Sequence, residues 1–296
     1  YENFYFLGGS AGWANIRGVL TNNINNLKLF EENDYAAKKI DVWGISDKNL
    51  FLESNRVLKQ QTKPFFAVIQ TADNHRPYSI PAEDKNEFKL LTYSADSLKR
   101  FGFESNEEMN AFRYTDFSYQ KFMEAAKKEP YFKNTIFVFV GDHGIRYNGS
   151  LEYFPKSWTE QGLTCEHVPL LFYAPALLKP QRVHNVCSQI DILPSIASLA
   201  KIPYMNNSLG RNLFDTVAYA QVLGHDEIIP RLPKYTAFVI DHDLHTIGIV
   251  NNQYYYLKNL KTGKDDLVSS IGNNPVKESA ETDSVKNYLQ QLTDAY

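Results

Sequence analysis

Asp142 and His143 stand side by side between Gly141 and Gly144, directly behind the apolar run Asn134-Thr135-Ile136-Phe137-Val138-Phe139-Val140. A carboxylate and an imidazole at the end of a buried strand can both reach one cation. Oxygen and nitrogen ligands suit Zn2+ or Mn2+ better than Ca2+, with Mg2+ as a further option. The flanking glycines let the backbone turn sharply and keep the site open. The same four residues also read as a strand-ending turn with a capping aspartate and a surface histidine. The apolar strand in front of them is what speaks for the metal.

His75, in Asn74-His75-Arg76-Pro77-Tyr78, is a second candidate. It has the chemistry to hold a phosphoryl oxygen or to protonate a leaving alkoxide; it also fits a solvated loop histidine. His167 precedes Val168-Pro169-Leu170. That is the amino end of an expected strand, whereas ligands in open α/β sheets gather at carboxyl ends, so a structural role is expected. Asp241-His242-Asp243-Leu244-His245 invites a metal reading, but turn chemistry between two strands accounts for its aspartates more simply. His184 and His225 have no nameable partner. The chain contains no P-loop, no GxGxxG after a strand, no GxSxG elbow and no HExxH.

The elements that must position these residues follow from periodicity. Ile40 to Trp43 is a short apolar segment ending at Gly44, and Asp47 can cap a helix through Leu50, Phe51, Ser54, Val57 and Leu58. Pro64 opens a buried strand, Phe65 to Ile69, which delivers the His75 loop. Ser105-Asn106-Glu107-Glu108 is a capping box. The helix behind it carries Met109, Phe112, Tyr119, Phe122, Met123 and Ala126 on one face. Asn134 to Val140, apolar on both faces, reads as a central parallel strand. Val168 to Tyr173 is another strand, and Asp191 caps a short helix with Pro194 in its first turn. Tyr235 to Ile240, Leu244 to Val250 and Gln253 to Leu257 form an antiparallel meander that turns at Asn251-Asn252. A terminal helix shows Val285, Tyr288, Leu289 and Leu292 on one stripe. Strand–helix alternation implies an α/β fold, a mostly parallel sheet with helices on both faces. A small C-terminal antiparallel sheet is added to it. The expected division is residues 1–215 and 216–296.

Bulk properties narrow the class. With 43% hydrophobic and 22% charged residues the 296-residue chain has an ordinary globular composition. A net charge of −3 without a block of Lys or Arg argues against a nucleic-acid partner. The two cysteines, Cys165 and Cys187, do not make a disulfide scaffold and are expected as free thiols. No stretch approaches the roughly 20 apolar residues of a membrane span. The opening Tyr1-Glu2-Asn3-Phe4-Tyr5-Phe6-Leu7, without an initiator Met, reads as a cut through a longer protein.

Several segments together resemble one family. Asn134 to Gly144 resembles the metal-binding strand of the alkaline phosphatase superfamily in its sulfatase branch. His167-Val168-Pro169-Leu170-Leu171-Phe172-Tyr173-Ala174-Pro175 resembles the strand that follows it. Gln189-Ile190-Asp191-Ile192-Leu193-Pro194-Ser195-Ile196 is similar to the branch's D-I-L-P-T segment, and Leu209-Gly210-Arg211-Asn212-Leu213 to its L-G-x-x-L. Gly8 to Gly18, Val42 to Asp47 and Phe65 to Tyr78 resemble lipoteichoic acid synthases and phosphoglycerol transferases.

The resemblance implies that Asp142 and His143 are metal ligands and that His75 contacts the phosphoryl group. It also implies that Arg17 grips the substrate phosphate, as guanidinium geometry allows, with Trp13 on the same wall. A surface arginine at a helix start is the other reading of Arg17. The implied activity is metal-dependent transfer of a phospholipid head group to a glycan or polymer hydroxyl through a phosphothreonine. That chemistry belongs on the extracytoplasmic face of the bacterial cytoplasmic membrane. The family's threonine nucleophile, an acidic metal ligand and the membrane-spanning region all precede the segment matched by Gly8-Gly9. Neither Thr21 nor Thr71 lies in a matching context, so the fragment alone is expected to be inactive. A sulfatase, a phosphoethanolamine transferase and a non-catalytic binding domain of the same fold are the alternatives.

Overall fold

The computed structural model describes residues 1–146, 154–214, 236–242 and 244–295. These fall into two units, Tyr1–Thr135 and Ile136–Tyr296. The expected boundary at 215/216 lies outside the described residues, as do Asp243 and His225.

In the first unit, β1 (Glu2–Leu7), α1 (Ile16–Asn23), β2 (Leu27–Phe30), α2 (Asp47–Leu58), β3 (Phe65–Gln70), α3 (Ala95–Phe101) and α4 (Asn106–Ala126) follow in order. The sheet runs β2-β1-β3 and is parallel throughout, with Phe4 opposite Lys28 on one side and Ala67 on the other. Alternation decides what the sheet buries. Phe4 and Phe6 of β1 point to α2, where they form a core with Ile45, Leu50 and Leu58, flanked by Phe65, Ala67 and Ile69. The other face of β3 carries Phe66 and Val68, both exposed, so β3 is not the fully buried strand expected from its composition.

α2 in turn packs on α4, with the Phe51 ring 5.2 Å from Tyr119 and 5.0 Å from Phe122. The α4 capping box is half as expected. Ser105 Oγ accepts from Glu108 N at 3.1 Å, but the Glu108 carboxylate accepts from Glu104 N at 2.6 Å instead of returning to Ser105. The cap of α2 is Ser46, which accepts from Asn49 N at 3.4 Å. Asp47 is the first helical residue, and its carboxylate is engaged elsewhere.

The second unit holds β4 (Phe137–Val140), α5 (Lys156–Glu160), α6 (Leu163–Glu166), β5 (Leu170–Tyr173), α7 (Ile192–Leu199), the strands β6 (Thr236–Asp241), β7 (Thr246–Asn251), β8 (Tyr254–Asn259) and β9 (Asp265–Ser269), and α8 (Ala280–Ala295). β4 is shorter than expected. Among the described residues it pairs with β5 alone, antiparallel, Phe137 opposite Tyr173, so an apolar run here did not mark a parallel strand.

The four-stranded sheet β6-β7-β8-β9 is antiparallel. Asn251 Oδ1 closes the β7–β8 turn by accepting from Gln253 N and Tyr254 N, both at 2.8 Å. Neighbouring Tyr255 and Tyr256 face opposite sides, and both are buried. Tyr255 joins Leu163, Val239 and Leu257, while Tyr256 joins Ile249 and the α8 residues Val285 and Leu289. β9 was not anticipated, because Asp265-Asp266 reads as a turn until β8 supplies its partner. Cys165 and Cys187 are free thiols. Among the described residues no helix is long and apolar enough to cross a membrane.

Candidate functional site

Each unit carries its own share of the residues singled out in the sequence. In the second, the chain leaves β4 and turns through Gly141-Asp142-His143-Gly144. Gly144 N donates to Cys165 O at 2.6 Å. A Cβ at Gly144 would sit 2.2 Å from Thr164 O, so only glycine allows this approach. Asp142 Oδ1 accepts from His143 N at 2.9 Å. His143 Nδ1 lies 2.8 Å from Gly144 O, which favours the tautomer with Nδ1 protonated and the lone pair on Nε2. That Nε2 is 4.0 Å from Asp142 Oδ2, and both side chains are mostly exposed at the strand end.

One carboxylate and one imidazole fit a Zn2+ or Mn2+ site as two of its ligands. Among the described residues no group of three or more His, Cys, Asp or Glu could hold a metal ion. The turn is tied down by Gln189, whose Nε2 donates to Gly141 O at 2.7 Å and to Asp142 O at 2.8 Å. Arg146 adds an ion pair with Asp241, 3.4 Å apart. Burial, and then the Asp241 charge, raise the pKa of Glu166 nearby.

Asp241 is otherwise a turn residue, accepting from Leu244 N at 2.8 Å. The His167 ring packs edge-on against Trp158, 4.9 Å between centroids, and burial lowers its pKa. Asp191 also departs from expectation. Its carboxylate does not cap α7 but accepts from Ser188 N and Arg211 N, at 2.9 and 2.8 Å.

In the first unit, the loop after β3 carries His75. Its base is a reciprocal lock. Asp47 Oδ1 accepts from Ala72 N, and Asp73 Oδ2 accepts from Asp47 N, both at 2.8 Å. Burial pushes the Asp47 carboxyl up to about 6, and burial together with the Asp47 charge raises Asp73. Beyond the lock, Arg76 pairs with Glu104, and Tyr78 Oη donates to Glu104 and Glu108 at 3.1 and 3.2 Å. These bonds moor the loop on the start of α4.

The His75 ring stacks on Trp43, centroids 4.5 Å and planes 23° apart, and Trp13 meets Trp43 edge-on at 5.7 Å. Trp43 can sit there because Gly44, at φ +99°, lets its loop touch the end of β1; a Cβ would lie 1.7 Å from Gly8 O. Arg17, at the start of α1, pairs with Glu31, whose Oε2 also accepts from Ala11 N at 2.6 Å. Glu31, Trp43 and Gln189 were not anticipated. Each acts through a partner distant in sequence, and a Trp beside Gly44 was the only local signal.

Residues 1–202 match the model of the sulfatase family. The chain belongs to the sulfatase family. Lipoteichoic acid synthase 1 of Bacillus subtilis is 28% identical to this sulfatase-family chain over 268 residues, covering 86% of the chain but 39% of that relative. Among solved structures, an alkaline phosphatase superfamily protein from Vibrio parahaemolyticus superposes with a TM-score of 0.73 at 22% identity, over 100% of the chain and 65% of its own. The lipoteichoic acid synthase LtaP of Listeria monocytogenes superposes with a TM-score of 0.67 at 17% identity, over 100% of the chain and 70% of its own. At such identities these two establish the fold: alkaline phosphatase-like, with a parallel sheet, helices and a C-terminal antiparallel sheet.

Proposed function

We propose that this sulfatase-family chain carries part of the active site of a metal-dependent phosphotransferase of the lipoteichoic acid synthase type. The observation that carries the reading is the Asp142–His143 pair, presented at a strand end by a glycine-flanked turn. Its kinship with a lipoteichoic acid synthase over most of its length supports the choice of reaction.

In this proposal Asp142 and His143 are two ligands of a divalent cation, Mn2+ or Zn2+. A bound cation would neutralise phosphoryl charge and lower the pKa of a hydroxyl nucleophile. A threonine hydroxyl supplied from outside these 296 residues attacks the head-group phosphorus, and the bond to diacylglycerol breaks. His75 donates to a phosphoryl oxygen or to the departing alkoxide, and Arg17 holds the equatorial oxygens. Trp13 walls the head group. A glycan or polymer hydroxyl then takes the group from the phosphothreonine. In this proposal the reaction takes place on the extracytoplasmic face of the bacterial cytoplasmic membrane, a location that the kinship with a lipoteichoic acid synthase supports.

The test supplies the intact protein with Mn2+ and phosphatidylglycerol vesicles and measures diacylglycerol release, with Asp142→Ala and His75→Ala beside it. Release that both substitutions abolish supports the proposal. The second reading, hydrolysis of a sulfuric ester, is favoured by the sulfatase-family match itself. Turnover of an aryl sulfate without lipid turnover would establish it instead. Turnover of neither would overturn both readings.

A further inference from the structure

We propose that Gln189 is a positioning residue for the metal ligands Asp142 and His143, an inference that rests on the metal reading of that pair. Its side-chain amide carries two hydrogens. One points to Gly141 O at 2.7 Å and the other to Asp142 O at 2.8 Å. Two successive backbone carbonyls can face one donor only if the chain bends between them. The amide therefore sets the two peptide planes on either side of the Asp142 Cα. Those planes fix the direction in which the Asp142 carboxylate leaves the backbone, and the second of them leads into His143. The assignment of Nε2 rather than Oε1 to this contact follows from the partners, since both are acceptors.

The other end of Gln189 is equally fixed. Its backbone opens the 3-10 turn Gln189–Asp191, in which Ser188 and Asp191 form a capping box. Asp191 is buried and accepts from Arg211 N at 2.8 Å. The glutamine is thus a short strut between an anchored turn and the ligand turn. Gly144, with its bond to Cys165 O, holds the far side of the same turn. With the turn held at both sides, the ligand atoms are presented in one arrangement before a cation arrives, and loosening one side lowers affinity.

The experiment uses the intact protein, as the transfer assay does, and reads Mn2+ affinity by calorimetry, amide hydrogen exchange over residues 141–145 in the metal-free protein, and thermal midpoint. Gln189→Glu keeps the shape but puts a carboxylate against two carbonyl oxygens, and Gln189→Leu removes the polar contact altogether. Both are expected to weaken Mn2+ binding about 10- to 100-fold, the usual effect of removing an outer-shell partner. Both are also expected to speed exchange in the 141–145 segment. A packing role alone would shift the midpoint and leave affinity intact. Unchanged exchange in both variants overturns the strut whatever the metal does. Faster exchange with wild-type affinity overturns the positioning role. Asp142→Ala and His143→Ala run in parallel: if they bind Mn2+ as the wild type does, or if the wild type binds none, the metal reading fails and the inference falls with it.

Discussion

The indole of Trp43 lies against the imidazole of His75, ring centroids 4.5 Å apart, and its Nε1–H donates to the carbonyl oxygen of the next residue, Arg76, at 2.7 Å. One side chain therefore holds both the ring of His75 and the backbone behind it. Stacked aromatic pairs contribute about 0.5–1.5 kcal/mol beyond the area they bury. Trp43→Ala is expected to lower the proposed head-group transfer roughly tenfold, the equivalent of ~1.4 kcal/mol, with a smaller loss for Trp43→Phe, which keeps the stack and drops the hydrogen bond. Initial rates of diacylglycerol release provide the check. Equal rates in all three proteins would remove Trp43 from any role at His75.

The lock beneath the same loop predicts a pH dependence of stability. The Asp47 carboxyl rises from the ordinary aspartate value to about 6, chiefly through burial. A raised folded-state pKa means that the folded protein binds the proton more tightly than the unfolded chain. The contribution is fully present below the unfolded pKa and is lost as pH rises through about 6. Asp73 shifts in the same direction. Asp47→Asn removes one titrating group, so the decline in unfolding free energy between pH 4 and 6 should be shallower in the variant. A single group accounts for at most about 1.4 kcal/mol per pH unit. Urea melts at half-unit intervals test this, and parallel curves for the two proteins would contradict it.

Gly144 separates steric need from mere tolerance. An added Cβ would lie 2.2 Å from Thr164 O and 3.2 Å from His167 O, both backbone atoms that cannot swing aside. Gly144→Ala should destabilise by about 1–3 kcal/mol, as overpacking does, and weaken Mn2+ binding as the turn shifts. Gly272 has nothing within 4 Å, so Gly272→Ala is the control, expected within about 0.5 kcal/mol of wild type. Thermal melts and calorimetry decide the matter. A Gly144→Ala protein as stable as the control would mean that the turn has room to move.

Arg17 and Glu31 predict a separation of binding from stability. Their ion pair is half exposed on the arginine side, and such pairs contribute about 0–1 kcal/mol. Arg17→Lys should therefore leave the melting temperature nearly unchanged. With phosphatidylglycerol as the substrate, as proposed, it should raise KM about tenfold, because an ammonium cannot reproduce the planar two-point grip of guanidinium. An unaltered KM would assign Arg17 to the surface alone.

Much of this was legible in the residues themselves. Helical spacing marked α2, α4 and α8, and the Asn251-Asn252 turn marked the β7–β8 hairpin. The glycine-flanked Asp142-His143 pair marked the candidate ligands. All of these depend on neighbours a few residues apart, which is the range over which periodicity and turn chemistry act. Tertiary structure alone decided the rest. It paired β4 with β5 antiparallel, left Phe66 and Val68 of β3 exposed, and turned Asp47 from a helix cap into half of a buried lock with Asp73. It also brought Trp43 to His75 and Gln189 to Gly141, the latter across 48 residues of sequence. The physical reason is the same in each case. A local pattern states which atoms need a partner, whereas the identity of that partner depends on which distant segment the packed chain carries within hydrogen-bonding or van der Waals reach.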